Sequence, residues 1–299
     1  MPFLDEIELL VSDNASTDAT EQLLNQYIQD SPLDVRYRRI SKNILGEQNF
    51  YQAMQAGTGQ YCWLIGDDDE ITGAAVALVL EAIKNHQPQM IICNFSLLSK
   101  DFSRVILEKY YAQPKSTLVL DHNQLLQHFG TQLSLISAVV FQKDAFFTIS
   151  KERYDFFEPY GATFLASVYY AAHNACRAYY IDQPIVLNRT NNMRIEPSWN
   201  WERIFIEGFA RVLNELQLLG YSRNAVYAAK NSIILKYAVN FIVNAKADRR
   251  PYANIYQSLN VWLRDTWTYR LICLPLRLVP DILLVLLKKM IRRLIGVQK

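Results

Sequence analysis

The sequence predicts an α/β protein with a doubly wound, mostly parallel sheet, followed by a helical C-terminal region. Three observations support this prediction. Apolar strand-like runs alternate with helix-like stretches in the first third of the chain, polar loops rich in Asp and Asn follow those runs, and the apolar pattern turns helical after Pro197. With 299 residues, of which 51% are hydrophobic, the chain is long enough to bury a sizeable core.

The first third alternates strands with helices. An apolar run over residues 7–11 ends in the polar loop 12–18, and a helical pattern follows over residues 19–29, which is typical of a strand, a loop and a capped helix. The same order then recurs, with strands predicted over residues 35–40, 61–65 and 90–94 and helices over residues 49–56 and 74–85. This spacing predicts a parallel sheet, whose ligands bind at the carboxyl ends of its strands.

The middle of the chain is predicted to be mixed and the C-terminal part helical. Short strands are expected over residues 118–120, 138–141, 179–181 and 185–187, and helices over residues 123–129, 162–172, 201–219 and 222–243. The chain is thereby divided into a domain over residues 1–195, a helical extension over residues 196–265 and a basic amphipathic segment over residues 266–299.

Cysteine usage and the N-terminus indicate the compartment. The four cysteines are far apart and form no C-x-x-C pair, so neither a zinc site nor a redox motif is predicted, and a reduced cytosolic setting fits best. The first residues contain no basic region followed by an apolar run, so we expect no secretory signal.

Residues 267–299 are basic and amphipathic. They hold seven Lys or Arg and one Asp, a net charge of +6, whereas the whole chain has +2. The uninterrupted apolar stretch 282–287 is far shorter than the ~20 residues that span a bilayer, and the cations lie beside Leu and Ile, as in an interfacial helix. We therefore predict peripheral attachment to an anionic membrane surface at the inner, cytoplasmic face of the cell membrane. The alternative is a helix docked on the rest of the protein, and no nucleic acid partner is predicted because no binding motif is present.

Three adjacent aspartates, Asp67, Asp68 and Asp69, follow the strand predicted over residues 61–65. Carboxylates this close repel one another, so a cation, hydrogen bonds or water must compensate their charge. Mg²⁺ and Mn²⁺ prefer oxygen ligands and often join one or two carboxylates to substrate phosphates. The alternative is a solvated acidic turn, since Gly-Asp-Asp is also good turn chemistry.

A second polar loop begins at Asp13, directly after the first predicted strand. Its side chains offer oxygens and amides to a ribose or a base. Ser16 or Asp18 is expected to cap the following helix, a role that does not need Asp13 and leaves it free to bind a ligand. Because both acidic loops follow strands of one predicted sheet, they should line a single cleft.

Three motifs in this order resemble those of family 2 glycosyltransferases. They are Ser-Asp-Asn-Ala-Ser-Thr-Asp at residues 12–18, Asn-Ile-Leu-Gly-Glu-Gln-Asn at residues 43–49, and Gly-Gln-Tyr-Cys-Trp-Leu-Ile-Gly-Asp-Asp-Asp at residues 59–69. The resemblance implies the A-type glycosyltransferase fold and an enzyme that moves a sugar from a nucleoside diphosphate sugar to an acceptor. Residues 184–189 are similar to the closing strand of members that act on polysaccharide precursors, so a lipid-linked or polysaccharide acceptor is implied.

The same resemblance assigns roles to individual residues. Asp13 would contact the nucleobase and Asn43 would line the nucleotide pocket. Asp67 and Asp69 would hold Mg²⁺ or Mn²⁺ on the diphosphate, with Asp67 and Asp68 also in contact with the donor. The metal would neutralise the charge that builds on the departing nucleoside diphosphate.

An inverting transfer also needs a base that deprotonates the acceptor hydroxyl. Many family members supply it from a Glu-Asp or similar pair, and the second half of this domain has no such pair. Glu158 is our candidate for the catalytic base, with Asp155 as the alternative, and either residue is otherwise a helix-end charge.

The region after the closing strand offers further candidates. Residues 188–192 would fold over the diphosphate, and Arg189 and Arg194 are suitable phosphate partners by their chemistry. Trp199 and Trp201 would either form a sugar-stacking face or, as the favoured alternative, anchor a helix in the core.

The sequence departs from the family at its start. Members have a strand and a helix before the loop at Asp13, and here only a few residues precede it. Three explanations are open: the true start lies upstream, the gene is split or degenerate, or the strand at Ile7 pairs directly with the strand at Tyr61. The alternative to an active enzyme is therefore a truncated, non-catalytic remnant or a partner-binding protein of the same fold.

Overall fold

The structure is a computed structural model of the chain, and it describes residues 3–113, 115–190 and 200–286. The chain divides into two compact units. A sheet unit contains residues 1–118, 135–150 and 177–192, and a helical unit contains residues 119–134, 151–176 and 193–299. Two internal segments thus group with the C-terminal helices, across the boundary predicted at residue 195. The division into three consecutive parts stays a prediction.

The strands form two sheets. In chain order they are β1 (Glu8–Asp13), β2 (Asp34–Arg39), β3 (Tyr61–Trp63), β4 (Glu70–Ile71), β5 (Met90–Leu98), β6 (Val105–Leu107), β7 (Thr117–Val119), β8 (Val139–Gln142) and β9 (Ala178–Arg189). Strands β1 and β2 form a parallel pair, with Glu8 opposite Asp34 and Asp13 opposite Arg39. The other seven strands form a sheet with the order β3-β8-β5-β9-β4, in which β6 pairs with β5 and β7 with β9.

The α/β class with a helical C-terminal region is confirmed, and the strand directions are mixed. Strands β5 and β9 run parallel, whereas β8 is antiparallel to both of its neighbours and β4 is antiparallel to β9. An apolar run shows the same pattern in either direction, and an antiparallel neighbour needs no crossover helix. The alternation of elements therefore predicts the class but not the direction of the later strands.

The helices are distributed over the whole chain. In chain order they are α1 (Thr20–Asp30), α2 (Gly46–Ala56), α3 (Ala75–His86), α4 (His122–Phe129), α5 (Lys143–Phe146), α6 (Lys151–Phe157), α7 (Thr163–Asn174), α8 (Phe209–Leu218), α9 (Arg223–Ile233), α10 (Val239–Ala247), α11 (Ala253–Trp262) and α12 (Leu274–Leu278). Helices α1, α2, α3 and α5 belong to the sheet unit and the others to the helical unit. Within the sheet unit, β5 is central: Met90, Ile91, Ile92 and Cys93 have no exposed surface.

Strands β1 and β3 belong to different sheets, so the prediction that both acidic loops follow strands of one sheet is wrong. Among the described residues, β1 pairs only with β2, and β3 pairs only with β8. Direct pairing of the strand at Ile7 with the strand at Tyr61, one of the three explanations offered for the short N-terminus, is therefore wrong. A side chain makes the link instead, because Glu8 Oε1 accepts hydrogen bonds from the backbone N–H groups of Thr58 and Gly59, just before β3.

The polar loop after β1 leads into α1 through Asp18. Its carboxylate accepts a hydrogen bond from the Thr20 N–H at 3.1 Å and another from the Thr20 hydroxyl. The first N–H groups of a helix have no partner within the helix, so Asp18 satisfies one of them from the position before Ala19. The Ser16 N–H does not point toward the helix; it donates a hydrogen bond to the Asp13 carboxylate at the end of β1.

Short π-helical segments in the described part of the helical unit, Arg203–Gly208, Ile234–Ala238 and Tyr269–Cys273, lead directly into α8, α10 and α12. The helices predicted over residues 201–219 and 222–243 correspond to the first two of these runs. Gly208 is needed in the first because a Cβ there would lie 2.5 Å from the Tyr160 carbonyl oxygen. Helical residues 281–286 follow α12 after a break at Pro280. No helix within the described ranges has the length and apolar character needed to cross a membrane.

Candidate active site

Asp13 ends β1 and is almost completely buried. Its Oδ1 accepts a hydrogen bond from the Ser16 N–H and its Oδ2 one from the Tyr37 hydroxyl, both at 2.7 Å, and the Arg39 guanidinium lies 3.7 Å from Oδ2. Burial by itself raises the pKa of this carboxyl, but the hydrogen bonds from Ser16 and Tyr37 and the charge of Arg39 outweigh burial and hold the pKa below its ordinary value of 3.8. Asp13 is thus an ionised group that organises its own loop, whereas the sequence analysis considered only helix capping by its neighbours and left Asp13 free to bind a ligand.

The loop after Asp13 is joined to the loop that contains Asn43. The Asn14 side-chain amide donates to the Ile44 carbonyl at 2.7 Å, and its oxygen accepts from the Ile44 N–H at 2.9 Å. The Asn14 side chain therefore pairs with both backbone groups of Ile44, as a residue of a neighbouring strand would. The same amide lies 3.3 Å from Asn43 Oδ1, so residues predicted from two separate motifs occupy adjoining loops.

The aspartate triplet forms the turn between β3 and β4. Gly66 donates its N–H to the Ser137 hydroxyl at 2.9 Å, and its carbonyl accepts from the Asp69 N–H at 3.1 Å. A Cβ on residue 66 would lie 2.8 Å from Asp68 Oδ1, so a side chain here would collide with the Asp68 carboxylate. Asp67 is exposed, whereas Asp68 and Asp69 are half-buried.

Asp69 is oriented by the last residues of β9. Its Oδ1 accepts a hydrogen bond from the Asn188 side-chain amide at 2.8 Å and one from the Arg189 N–H at 3.3 Å. The antiparallel register that places Glu70 opposite Leu187 brings these residues beside Asp69. Asn188 was assigned from the sequence to a segment over the diphosphate, and its contact with Asp69 was missed because the pairing of β4 with β9 is non-local.

Asp67 and Asp69 fit a divalent cation together with a phosphorylated substrate. Within the parts of the chain that the structure describes, no three His, Cys, Asp or Glu side chains are grouped as a metal site. Mg²⁺ is commonly bound by one or two carboxylates plus substrate phosphates and water. One exposed and one oriented carboxylate meet that requirement, and phosphate oxygens would complete the coordination.

Arg189 offers a cation at the same end of β9. Its guanidinium carbon lies 4.3 Å from the centre of the Phe102 ring. Its Nε is buried and has no hydrogen-bond partner among the described residues. Leaving such a donor unpaired is costly, and an anion would satisfy it. Arg194, the second predicted phosphate partner, lies outside the described residues.

Glu158 belongs to the helical unit, where it begins the 3₁₀ turn Glu158–Tyr160 directly after α6. Its Oε1 is buried and, in the described part of the chain, has no hydrogen-bond partner. Asp155, the alternative base, is exposed and forms an ion pair with Lys151 one helical turn earlier. Glu158 therefore has an acceptor oxygen that the surrounding structure does not use, whereas Asp155 is a solvated helix charge.

Trp201 anchors the start of the first long helix of the helical unit. Its ring stacks on Phe205 at 5.4 Å between ring centres, and Phe205 stacks on Tyr237 at 4.6 Å. These rings are half-buried, which gives Trp201 the anchoring role that the sequence favoured. Trp199 lies outside the described residues.

Comparison with known proteins identifies the family. Residues 3–142, which contain β1 to β8 and all of the candidate donor-site aspartates, match the model of the family described as Glycosyl transferase family 2. This part of the chain is similar to a family 2 glycosyltransferase domain. The matched domain is that of a glycosyltransferase, and the α/β fold with a helical C-terminal region is consistent with this activity.

One curated relative and several solved structures resemble this transferase. The abequosyltransferase RfbV of Salmonella typhimurium strain LT2 is 25% identical over 243 residues, which cover 77% of this chain and 71% of the relative. The crystal structure of S. aureus TarS residues 1–349 with UDP-GlcNAc has a TM-score of 0.59 at 13% identity over 85% of this chain and 73% of that chain. The complex of the same protein with UDP has a TM-score of 0.61 at 12% identity, over 87% of this chain and 72% of that chain. At such identities the likeness to TarS shows the fold alone.

Proposed function

We propose that this transferase moves a sugar from a nucleoside diphosphate sugar to a lipid-linked or polysaccharide acceptor, with inversion and with Mg²⁺ or Mn²⁺ on the diphosphate. The observation that carries the proposal is the Asp69 carboxylate, which a family motif places at a strand end and which Asn188 and Arg189 orient. The relatives support the substrate class, because one is named an abequosyltransferase and another was solved with UDP-GlcNAc.

The nucleobase and ribose end of the donor would bind at the joined loops of Asp13 and Asn43. A carboxylate has more lone pairs than the hydrogen bonds from Ser16 and Tyr37 occupy, so Asp13 retains capacity for one N–H of a base. Because its side chain is buried, a base would have to enter the loop to reach it.

The diphosphate end would bind at Asp67, Asp68, Asp69 and Arg189. A divalent ion on Asp67 and Asp69 supplies charge neutralisation for the departing nucleoside diphosphate. Asn188 keeps Asp69 in one orientation. The Nε of Arg189, which has no partner among the described residues, would offer a charge-assisted hydrogen bond to a phosphate oxygen. The orientation of Asp69 and the position of Arg189 both depend on the pairing of β9 with β4.

Glu158 would deprotonate the acceptor hydroxyl. A general base must keep a free lone pair for the proton it receives, and Oε1 of Glu158 has no partner in the described structure. The role of helix-end charge, which the sequence left open, accounts less well for a buried oxygen without a partner.

Membrane attachment would involve the exposed apolar face of α12 and the π-helical segment before it. Leu271, Leu274 and Leu278, called here the leucine stripe, recur at helical spacing and are 70%, 41% and 84% exposed. Exposed apolar residues in a row mark an interaction surface. The basic residues of the segment 287–299, known from the sequence alone, would add attraction to anionic lipid.

The test of the proposed activity is release of nucleoside diphosphate from a panel of nucleoside diphosphate sugars with the full chain and Mn²⁺. The change Asp69→Asn keeps the shape of the side chain and removes its charge. We expect kcat/KM to fall about 100-fold or more, as when an electrostatic stabiliser is removed.

The matched control is Glu70→Gln, which removes the exposed neighbouring carboxylate and should leave turnover within about twofold of wild type. Turnover that is unchanged in Asp69→Asn would remove the proposed site. Binding of a donor without turnover by the wild-type protein would instead favour the non-catalytic alternative.

A further inference from the structure

A cavity of about 660 Å³ lies within the helical unit and has no role in donor binding or proton transfer as described above. Its main polar and aromatic lining comes from α11, from the following π-helical segment and from α12: Tyr252, Tyr256, Gln257, Asn260, Tyr269 and Arg277. The volume falls in the range of small-molecule sites, and a wall that combines aromatic rings with a few polar groups is typical of them.

The wall of the cavity is stiffened by a buried lysine. Lys246 is almost completely buried, and its Nζ donates to the Arg277 carbonyl at 3.1 Å and lies 3.2 Å from the Asp281 carboxylate. It also lies 5.0 Å from the centre of the Tyr252 ring. The charge of Lys246 is thus balanced by Asp281, while its hydrogen bond fixes the backbone that carries Arg277.

Arg277 provides charge that no carboxylate in the described part of the chain balances. Its guanidinium lies 5.6 Å from the centre of the Tyr256 ring, and no carboxylate among the described residues is within ion-pair distance of it. The Tyr256 hydroxyl donates a hydrogen bond to the Cys273 carbonyl at 2.9 Å. The cavity therefore presents a cation, two amide side chains and aromatic faces, which suit a phosphate-bearing ligand.

The position of Arg277 connects the cavity with the leucine stripe. Arg277 precedes Leu278 in the sequence and lies one turn after Leu274, so the cation stands on the flank of the exposed apolar face. A ligand bound to Arg277 would have its polar part in the cavity and any attached chain beside the leucines. A nucleotide or a free anion would make no use of the apolar surface.

We propose that this cavity binds the phosphate headgroup of an anionic lipid while the leucine stripe enters the apolar layer of the membrane. The inference rests on the membrane attachment proposed above and adds to it a specific headgroup site. General attraction of a basic segment to an anionic surface needs neither a cavity nor one particular arginine. A headgroup site, unlike general attachment, requires Arg277 in particular.

The chain offers a matched pair of arginines for the test. Arg270 lies seven residues before Arg277, about two helical turns away on the same flank of the leucine stripe, and it does not line the cavity. Arg270→Gln and Arg277→Gln each remove one charge from the same surface. If only charge attracts the lipid, the two variants should lose equal affinity for an anionic lipid. If a headgroup site exists, Arg277→Gln should lose more affinity than Arg270→Gln.

The experiment is calorimetric titration of the full chain with dibutyryl-phosphatidic acid, which is a monomeric lipid in water, and with dibutyryl-phosphatidylcholine and inorganic phosphate. We expect saturable binding of the phosphatidic acid that weakens at least about tenfold in Arg277→Gln and less than about twofold in Arg270→Gln. Arg277→Lys, which keeps the charge, should bind between wild type and Arg277→Gln. Thermal unfolding of each variant shows whether it is folded.

Three results would overturn the inference: no saturable binding of phosphatidic acid by the wild-type protein, equal losses in the two arginine variants, or inorganic phosphate bound as tightly as the lipid. Failure of membrane attachment is a separate result. It appears as loss of binding to anionic vesicles alone, while monomeric phosphatidic acid still binds at Arg277. Failure of the transferase proposal appears in nucleoside diphosphate release and leaves lipid binding unaffected.

Discussion

At the scale of single residues, each acidic loop depends on a partner from another strand. Asp69 is oriented by Asn188 at the end of β9, and Asp13 is held by Tyr37 from the middle of β2. Both partners donate a hydrogen bond to a carboxyl oxygen of the aspartate. Their removal should therefore affect the two aspartates in different, measurable ways.

Asn188→Ala should weaken metal activation. The carboxylate of Asp69 loses its side-chain donor and becomes free to rotate, so the concentration of Mn²⁺ that gives half-maximal activity should rise about 10-fold to 100-fold, as for other residues that orient metal ligands. Titration of activity with Mn²⁺ measures this constant. Thr190→Val is the control, because it removes a nearby hydrogen bond to the Leu98 carbonyl that does not involve Asp69. Equal changes in both variants would assign Asn188 a merely structural role.

Tyr37→Phe should reduce the stability that depends on ionised Asp13. The pKa of Asp13 is lowered in the folded protein, so its contribution to stability is present above the unfolded pKa, near 3.8, and is lost as the pH falls through the lower folded pKa. Without Tyr37 the folded pKa rises toward that of the unfolded chain. We expect the thermal midpoint at neutral pH to fall by about 2–4 °C, and its decline on acidification to become smaller.

Thermal unfolding from pH 7 to pH 3 measures both effects. Tyr27→Phe on the exposed face of α1 is the control, and it should leave the midpoint unchanged at every pH. A Tyr37→Phe protein with the pH profile of wild type would show that the hydroxyl does not contribute to the ionisation of Asp13.

At the scale of elements, the helical unit depends on close contact between the 3₁₀ turn at Glu158 and the π-helical segment Arg203–Gly208. The Tyr160 ring lies 4.7 Å from the Arg203 guanidinium and 4.1 Å from that of Arg211. The backbones approach closely only because residue 208 has no side chain. The turn that carries the candidate base is therefore held by the helix it packs against.

Gly208→Ala should destabilise this contact. The added Cβ would lie 2.5 Å from the Tyr160 oxygen, so the turn or the helix must move, at a cost of about 1–3 kcal/mol in the free energy of unfolding. Urea unfolding measures it. Gly73→Ala is the control, because a Cβ there has no atom within 4 Å. A stable Gly208→Ala protein that keeps full transferase activity would contradict the close packing of the turn.

At the scale of the whole molecule, the sheet unit and the helical unit carry different parts of the proposed activity. The sheet unit holds the aspartates and Arg189, and the helical unit holds Glu158, the leucine stripe and the cavity. The sequence places residues of the helical unit on both sides of segments of the sheet unit, so no cut at one position separates the two.

Removing the leucine stripe should release the protein from membranes. In the variant with Leu271→Gln and Leu278→Gln, two exposed leucines become polar, and each leucine transferred to an apolar layer is worth about 1.5–3 kcal/mol. We therefore expect vesicle affinity to fall about 100-fold or more, measured by co-sedimentation with vesicles containing phosphatidylglycerol. Leu218→Gln, which alters another highly exposed leucine at the end of α8, is the control. Equal binding by both variants would contradict attachment through the stripe.

The sequence determined the α/β class, the helical C-terminal region and the two acidic loops, because these depend on local periodicity and turn chemistry. Three ordered motifs carried the resemblance to the glycosyltransferase family. The family resemblance assigned both Asp13 and Asn43 to the nucleotide end of the donor, and this assignment stays a prediction.

Only the tertiary structure decided strand direction, the partners of the aspartates and the cavity at Arg277. The contact of Asn188 with Asp69 joins residues 119 positions apart, and it arises because β9 returns antiparallel to β4. The contact of Tyr37 with Asp13 was not predicted because Tyr37 reaches it across a strand pair, and no local pattern contains that geometry. A pattern along the chain records which face of an element is apolar, and the packing of distant elements determines which polar groups meet.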